Sequence, residues 1–234
     1  MKQLFALIVA GILSTYAIKA QVTNGPPAVT CPAASTNECG TLSTVSATVS
    51  DPDGDALTVV WSVNGVAIQT NDVPASTNST SVALSAHLSL GTNTLAVTAT
   101  DTATNSTTCS TTVTVVDTTP PVIGSVSASP HVLWPPNHKL VAIKVQASVT
   151  DTCGPATWKI TSVTSNEPAD AKGKGKTAAE WEITGDHTLK LLADRLGKGS
   201  GRIYTITITA KDASGNTAQK TVTVSVPHDK GKGK

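Results

Sequence analysis

A chain of 234 residues with 17 Lys and Arg against 16 Asp and Glu carries a formal net charge of +1, which makes it a poor partner for nucleic acid. Only 3% of it is aromatic, so a core must be built from Val, Ile, Leu and Ala around one or two rings. The length allows two domains of ordinary size, each burying a core of its own.

In chain order the first element is an export signal. Lys2 precedes the apolar run Leu4 to Leu13, and a more polar stretch ends at Ala20, with cleavage expected between Ala20 and Gln21. The run is too short to cross a bilayer as a helix, and no later stretch is apolar for long enough. The expectation is a secreted, extracellular or periplasmic product with no membrane span once residues 1–20 are removed. Losing Lys2 and Lys19 leaves 15 basic residues against 16 acidic ones, a net charge near −1.

A first domain is expected over residues 22–118. Leu42 to Val49 alternates, Asp51-Pro52-Asp53-Gly54-Asp55 is a turn cluster, and Leu57 to Val63 is a β-branched run ending at Asn64-Gly65. Asn-Gly between two such runs predicts a tight hairpin. Further strands follow at Val66, at Val82 to Leu90 and at Thr94 to Val116, about seven at sandwich spacing. Pro120-Pro121 repeats the earlier Pro26-Pro27 and marks the boundary, with a second domain over 121–228.

The second domain opens near Val122 and passes through the loop Ser129 to His138. In the next strand Val141, Ile143, Val145, Ala147 and Val149 share a face. Strands with Trp158 and Ile160, Trp181 and Ile183, and Leu189 and Leu191 come next, with the loop-like Lys172 to Lys176 among them. In the closing hairpin Tyr204, Ile206, Ile208 and Ala210 point one way and Thr205, Thr207 and Thr209 the other. That hairpin repeats Thr94 to Val116, with Asp212 matching Asp101, as expected of two similar domains in tandem. Residues 229–234 read as a disordered Lys/Gly tail. The fold class is all-β, two tandem immunoglobulin-like sandwiches after a signal peptide.

Cys31-Pro32, the DPDGD turn, LGTNTLAVTATD and CSTTVTVVD followed by TTPPVI resemble the hyalin-repeat and PKD-type immunoglobulin-like domains of extracellular proteins, over nearly all of Val22 to Pro121. LWPPNHKLV, DTCG, SNEP, GRIYTIT, KDASGN and VPHD resemble an immunoglobulin-like module of exported bacterial proteins, over most of Val122 to Asp229. The first resemblance implies a Cys31–Cys109 disulfide. The second implies that Cys153 lacks its usual partner, because relatives carry cysteine where this chain has Ala210. Such domains serve adhesion, spacing and display, which implies no enzymatic activity. Spacing alone leaves three connectivities for the four cysteines. Three of them, Cys31, Cys39 and Cys109, lie in the first half and Cys153 in the second, so at least one is unpaired or bridges the domains.

No cofactor is expected apart from calcium at Asp51, Asp53 and Asp55, whose alternate spacing can aim carboxylates at one hard cation, with Asp101 or Asp117 completing the shell. Turns are made of the same residues. Trp61 falls where sandwiches bury a ring. Trp134, Trp158 and Trp181 are core candidates too, but two of them exposed in a row would stack on sugar rings. His131 and His138 flank Trp134-Pro135-Pro136 without a third ligand. Gly175-Lys176-Thr177 fails as a phosphate loop because position 170 is Asp170 and no helix follows. Asn78 and Asn105 begin sequons. The reading is a secreted non-catalytic module acting in adhesion, binding or spacing, with an unknown protein or polysaccharide at the cell surface as partner. A carbohydrate-binding module is the alternative, and an accessory subunit of an exported complex the third.

Overall fold

A computed structural model describes residues 23–168 and 180–229. These residues form strands, turns and loops, and no helix occurs among them. The signal segment, the Lys172 to Lys176 stretch and the terminal Lys230 to Lys234 stretch lie outside the described residues.

The first half contributes β1 (Ala28–Thr30), β2 (Ser35–Glu38), β3 (Ser43–Ser50), β4 (Leu57–Val63), β5 (Val66–Val73), β6 (Thr80–Ala86), β7 (Gly91–Thr100) and β8 (Ser106–Val116). One sheet has the order β1-β3-β6 and the facing sheet β2-β8-β7-β4-β5. Alternation fixes which side chains meet between them. Val45, Ala47 and Val49 of β3 and Leu95, Val97 and Ala99 of β7 point inward, with Trp61 of β4 fully buried among them. Each such valine or leucine side chain contributes roughly 1.5–3 kcal/mol when fully buried.

The second half contributes β9 (Val122–Ser129), β10 (Leu140–Thr150), β11 (Ala156–Ser165), β12 (Trp181–Gly185), β13 (Thr188–Leu192), β14 (Gly201–Asp212) and β15 (Thr217–Pro227). Its sheets have the orders β12-β13-β10-β9 and β11-β14-β15. A separate core forms around Tyr204, Ile206, Ile208, Ile143, Leu189, Leu191 and Val224. At its edge Arg202, only 4% exposed, is ion-paired to Glu167 and Glu180.

Both halves split their opening segment between the two sheets. In the first, β1 pairs antiparallel with β3 and β2 pairs parallel with β8. In the second, β9 pairs with β10, and the following residues reach β15 through a parallel bridge at Val132 and Ser225. The Leu133 amide donates to the Ser225 carbonyl and the Ser225 amide to that of His131. Two sandwiches that divide their first strand in the same way, with the last strand taking up the second part, are tandem immunoglobulin-like domains.

Candidate functional site

Polar groups gather at the junction of the two sandwiches. β8 ends at Val116 and β9 begins at Val122, so residues 117–121 make the whole connection. Glu38, at the end of β2, holds it: Oε1 accepts from the Thr118 amide at 2.7 Å and the Thr119 hydroxyl at 3.0 Å, and Oε2 accepts from the Thr118 hydroxyl at 2.9 Å. The Thr118 amide is the main cause that holds the Glu38 carboxyl below its ordinary range.

Cys39 follows, its amide donating to the Val116 carbonyl, and its sulfur is bonded to that of Cys153 in the second domain, with the Cα atoms 5.7 Å apart. Gly40 then takes φ +73° and lies against Thr152; a β-carbon there would come 2.5 Å from the Thr152 methyl. A side chain would therefore clash as well as strain the backbone.

Three carboxylates meet on the second-domain side. Asp117 of the connection, Asp151 after β10 and Asp212 at the end of β14 have oxygens within 4.8 Å of one another. All three are already hydrogen-bonded. Asp151 accepts from the Cys153 amide and Asp117 from the Thr119 amide. Asp212 Oδ1 accepts from the Gly215 and Asn216 amides, and its Oδ2 from the Asn216 side chain, which also donates to the Asp117 carbonyl. Burial pushes the Asp212 carboxyl up, and the donors from Asn216, Gly215 and Ser214 outweigh it, leaving it below the ordinary range.

The first domain carries the same turn at its own outer pole. Asp101 Oδ1 accepts from the Asn105 amide at 2.8 Å and Oδ2 from the Asn105 side chain at 2.9 Å, as Asp212 does from Asn216. Asn24 adds a bond to Asp101. Asn105 is therefore committed to this turn, whereas Asn78 is exposed. Asp51 is buried and spends Oδ1 on the Asp53 and Asp55 amides, leaving Oδ2 without a partner. Asp53 accepts from the Gly25 amide at 2.6 Å. Among the described residues the carboxylate trio within 4.8 Å is thus Asp117, Asp151 and Asp212. Asp51, Asp53 and Asp55 shape a turn.

The cysteines are all paired. Cys31 is bonded to Cys109, Cα to Cα 5.8 Å, joining the end of β1 to β8 of the facing sheet. Cys153, which the family resemblance implies to lack its usual partner, bonds Cys39 instead, while Ala210 is fully buried in β14. Sequence counting left this bridge between domains open, and only the folded junction shows which cysteine makes it.

The tryptophans separate. Trp158 on β11 and Trp181 on β12 are in different sheets and both pack against the second-domain core. Trp158 stacks on His187 at 3.8 Å between ring centres, and Trp181 meets Tyr204 edge-on at 6.3 Å. Trp134 is 40% exposed beside the cis Trp134-Pro135 bond. His131 supplies its carbonyl to β15, and His138 Nδ1 lies 3.1 Å from Asp194. A depression of about 310 Å³ is lined by Leu57, Val73 and Pro74 together with Asp72 and Asp101, and Asp101 is engaged by Asn105 and Asn24.

No known protein-family profile matches the chain, and no curated protein does. Solved structures do resemble it. The tandem Ig1-2 module of the Drosophila receptor protein tyrosine phosphatase DLAR is 12% identical, with 86% of this chain and 98% of that one covered and a TM-score of 0.32. The fibronectin(III)-like modules of Clostridium thermocellum CbhA are 19% identical over 39% of this chain and 97% of theirs, at 0.32. SGBP-B of a Bacteroides ovatus mixed-linkage glucan utilization locus, solved in complex with a mixed-linkage heptasaccharide, is 17% identical over 86% of this chain and 47% of that one, at 0.32.

Proposed function

We propose that the chain is an extracellular, non-catalytic module that holds binding surfaces at a set spacing. The observation that carries this reading is the junction, where a five-residue connection is tied down by Glu38 and by the Cys39–Cys153 bond. Disulfides of this kind persist in oxidising compartments, which supports a site of action outside the cytoplasm. The surfaces offered are the outward face of β14 and β15, with Thr205, Thr207 and Thr209 set against Thr223, Thr221 and Gln219, and the edge strand β5, where Val66 and Ile68 are 65% and 46% exposed. An edge strand with unpaired backbone groups and exposed apolar side chains suits a protein partner. Beads coated with the oxidised protein should be retained by an extracellular protein or polysaccharide surface, and Ile68→Lys should weaken retention of a protein partner. Equal passage of coated and blank beads over every surface tested would overturn the reading.

A second reading rests on Trp134, whose exposed ring can stack on a sugar with Val132 and Leu140 also exposed nearby in the chain. Trp134→Ala should then abolish retention on an insoluble glycan while Trp158→Phe leaves it intact. The reverse pattern, or no retention by the unaltered protein, removes carbohydrate from consideration. Calcium remains a proposal of the same kind for Asp51, Asp53 and Asp55. A melting temperature unchanged between added calcium and chelator would dismiss it.

A further inference from the structure

We propose that the two disulfides route tension around most of the first sandwich, so that the chain is a load-bearing link whose strands β3 to β8 cannot be drawn out while Cys39 and Cys153 stay joined. This rests on the spacing role above and adds a mechanical function to it. A pull applied before β1 and after β15 follows the shortest covalent path. In the oxidised chain that path runs from residue 23 to Cys39, crosses to Cys153 and continues to residue 229, skipping a separation of 114 residues. Every strand from β3 to β10 lies inside the closed loop. Opening those strands adds nothing to the length of the tether, so tension does no work on them.

The Cys31–Cys109 bond is a second stop behind the first. If Cys39 and Cys153 are released, the path runs from residue 23 to Cys31 and from Cys109 onward, skipping 78 residues, and β3 to β7 stay shielded. The elements ahead of these stops are weak by themselves: β1 has three residues and β2 four. Without covalent stops, four parallel pairs between β2 and β8 would carry the first domain's share of a load.

Downstream of Cys153 the load enters at the start of β11 and leaves at the end of β15. Both strands flank β14, with β11 running away from the junction and β15 ending at the opposite pole. The pull is therefore lengthwise along two antiparallel ladders, where all the hydrogen bonds share it together and none is peeled singly. Beyond the short β1 and β2, the strands left in the load path are thus loaded along their length.

Force–extension measurement on the chain, with handles placed before residue 23 and after residue 229, tests this. Fully drawn out, the oxidised protein should release a contour of about 92 residues, roughly 300 Å at 3.3–3.6 Å per residue. The Cys39→Ser, Cys153→Ser double variant should release about 128 residues, roughly 450 Å, and the fully reduced chain about 206, roughly 700 Å. Thiol added after tethering the unaltered protein gives the long form even where the double variant fails to fold. An oxidised chain that extends as far as the reduced one, or a folded double variant that extends no further than the unaltered protein, overturns the proposal. No ligand enters this measurement, so its failure leaves the binding reading standing, and a failure to retain any surface leaves these lengths unchanged.

Discussion

In the first sandwich β5 stays beside β4 in the larger sheet, whereas in the second its counterpart β12 has crossed to the opposite sheet and pairs with β13. The cause is the length of the connection. Asn64 and Gly65 turn β4 straight back on itself, with both residues at positive φ as a two-residue hairpin requires. Fifteen positions separate the end of β11 at Ser165 from the start of β12 at Trp181, enough chain to change sheets. The consequence reaches the cores. In the first domain the half-buried Gln69 of β5 donates its side-chain amide to the Ala83 carbonyl of β6, an uncharged link between the sheets at their exposed edge. In the second, Glu167 at the start of the excursion and Glu180 at its end both come back to Arg202. A longer connection gives topological freedom, and a buried ionic group pins its two ends.

The strongest way to break this comparison is to remove the pin. Arg202→Ala leaves two buried carboxylates facing each other with no cation between them. Burial opposes the Arg202 charge, and its bond to Glu180 together with the contributions of Tyr204 and the Glu180 charge outweighs it, so the guanidinium sits above even its ordinary range. Breaking one partner of such a buried pair costs about 3–5 kcal/mol. Urea unfolding followed by domain-resolved hydrogen exchange should show this loss in β11 to β15 and none in β3 to β8. Equal losses in both halves would mean that the cores are not independent. Replacing Arg202, Glu167 and Glu180 together with apolar residues of similar volume should recover most of the stability, because no uncompensated charge then remains.

The converse lesion belongs to the first domain. Cys31→Ser with Cys109→Ser opens a 78-residue loop, and about 2–4 kcal/mol of stability should go with it through the freedom regained by the unfolded chain. The same measurement should place that loss in β3 to β8. Tyr204 and its neighbours should keep their protection.

Much of this was written plainly in the residues, and the failures have a common cause. Local chemistry was legible. Alternation placed Leu95, Val97 and Tyr204, Ile206, Ile208 inward, Asn64-Gly65 announced the hairpin, and the repeat of Asp101 at Asp212 reflects one turn built twice, each closed by an asparagine four residues on. Arg202 carried a signal too, because it shares the inward phase of Tyr204 and Ile206, and a charged residue in that phase must find partners. Those partners lie 35 and 22 positions back in the chain, and no period reports on them. The same holds for the junction: Asp117, Asp151 and Asp212 come together only because two strand ends and the connection share one pole, whereas Asp51, Asp53 and Asp55 lie within five residues and their spacing can be read directly.

A milder test addresses the hairpin itself. Gly65 has φ +84° and no atom within 4 Å of where a β-carbon would stand. Gly65→Ala therefore probes backbone conformation alone, with no clash to confuse it, and about 1 kcal/mol should be lost. The loss should appear as faster hydrogen exchange in β4 and β5 only. A larger or more widespread effect would mean that the turn does more than direct β5 to its sheet.

The smallest effect is at the junction and depends on pH. The Glu38 carboxyl is held low chiefly by the Thr118 amide, and that of Asp212 by donors that overcome its burial. A carboxyl whose value is lower in the folded protein than in the unfolded one favours folding above its ordinary range, near 4, and loses that contribution as the pH falls through the lowered value. These two groups should therefore leave the junction unchanged between about pH 5 and 8 and loosen it only in stronger acid. Amide shifts of Thr118 and Asn216 followed by NMR should titrate with midpoints below the ordinary carboxylate range. Thr118→Ala separates the contributions at Glu38: it deletes the hydroxyl donor and keeps the amide, so the Glu38 midpoint should rise only part of the way. A full return to the ordinary value would assign the effect to the hydroxyl and not to the backbone of the connection. A midpoint already at the ordinary value in the unaltered protein would mean that Glu38 does not hold the connection in solution, leaving Cys39–Cys153 to fix the two sandwiches by itself.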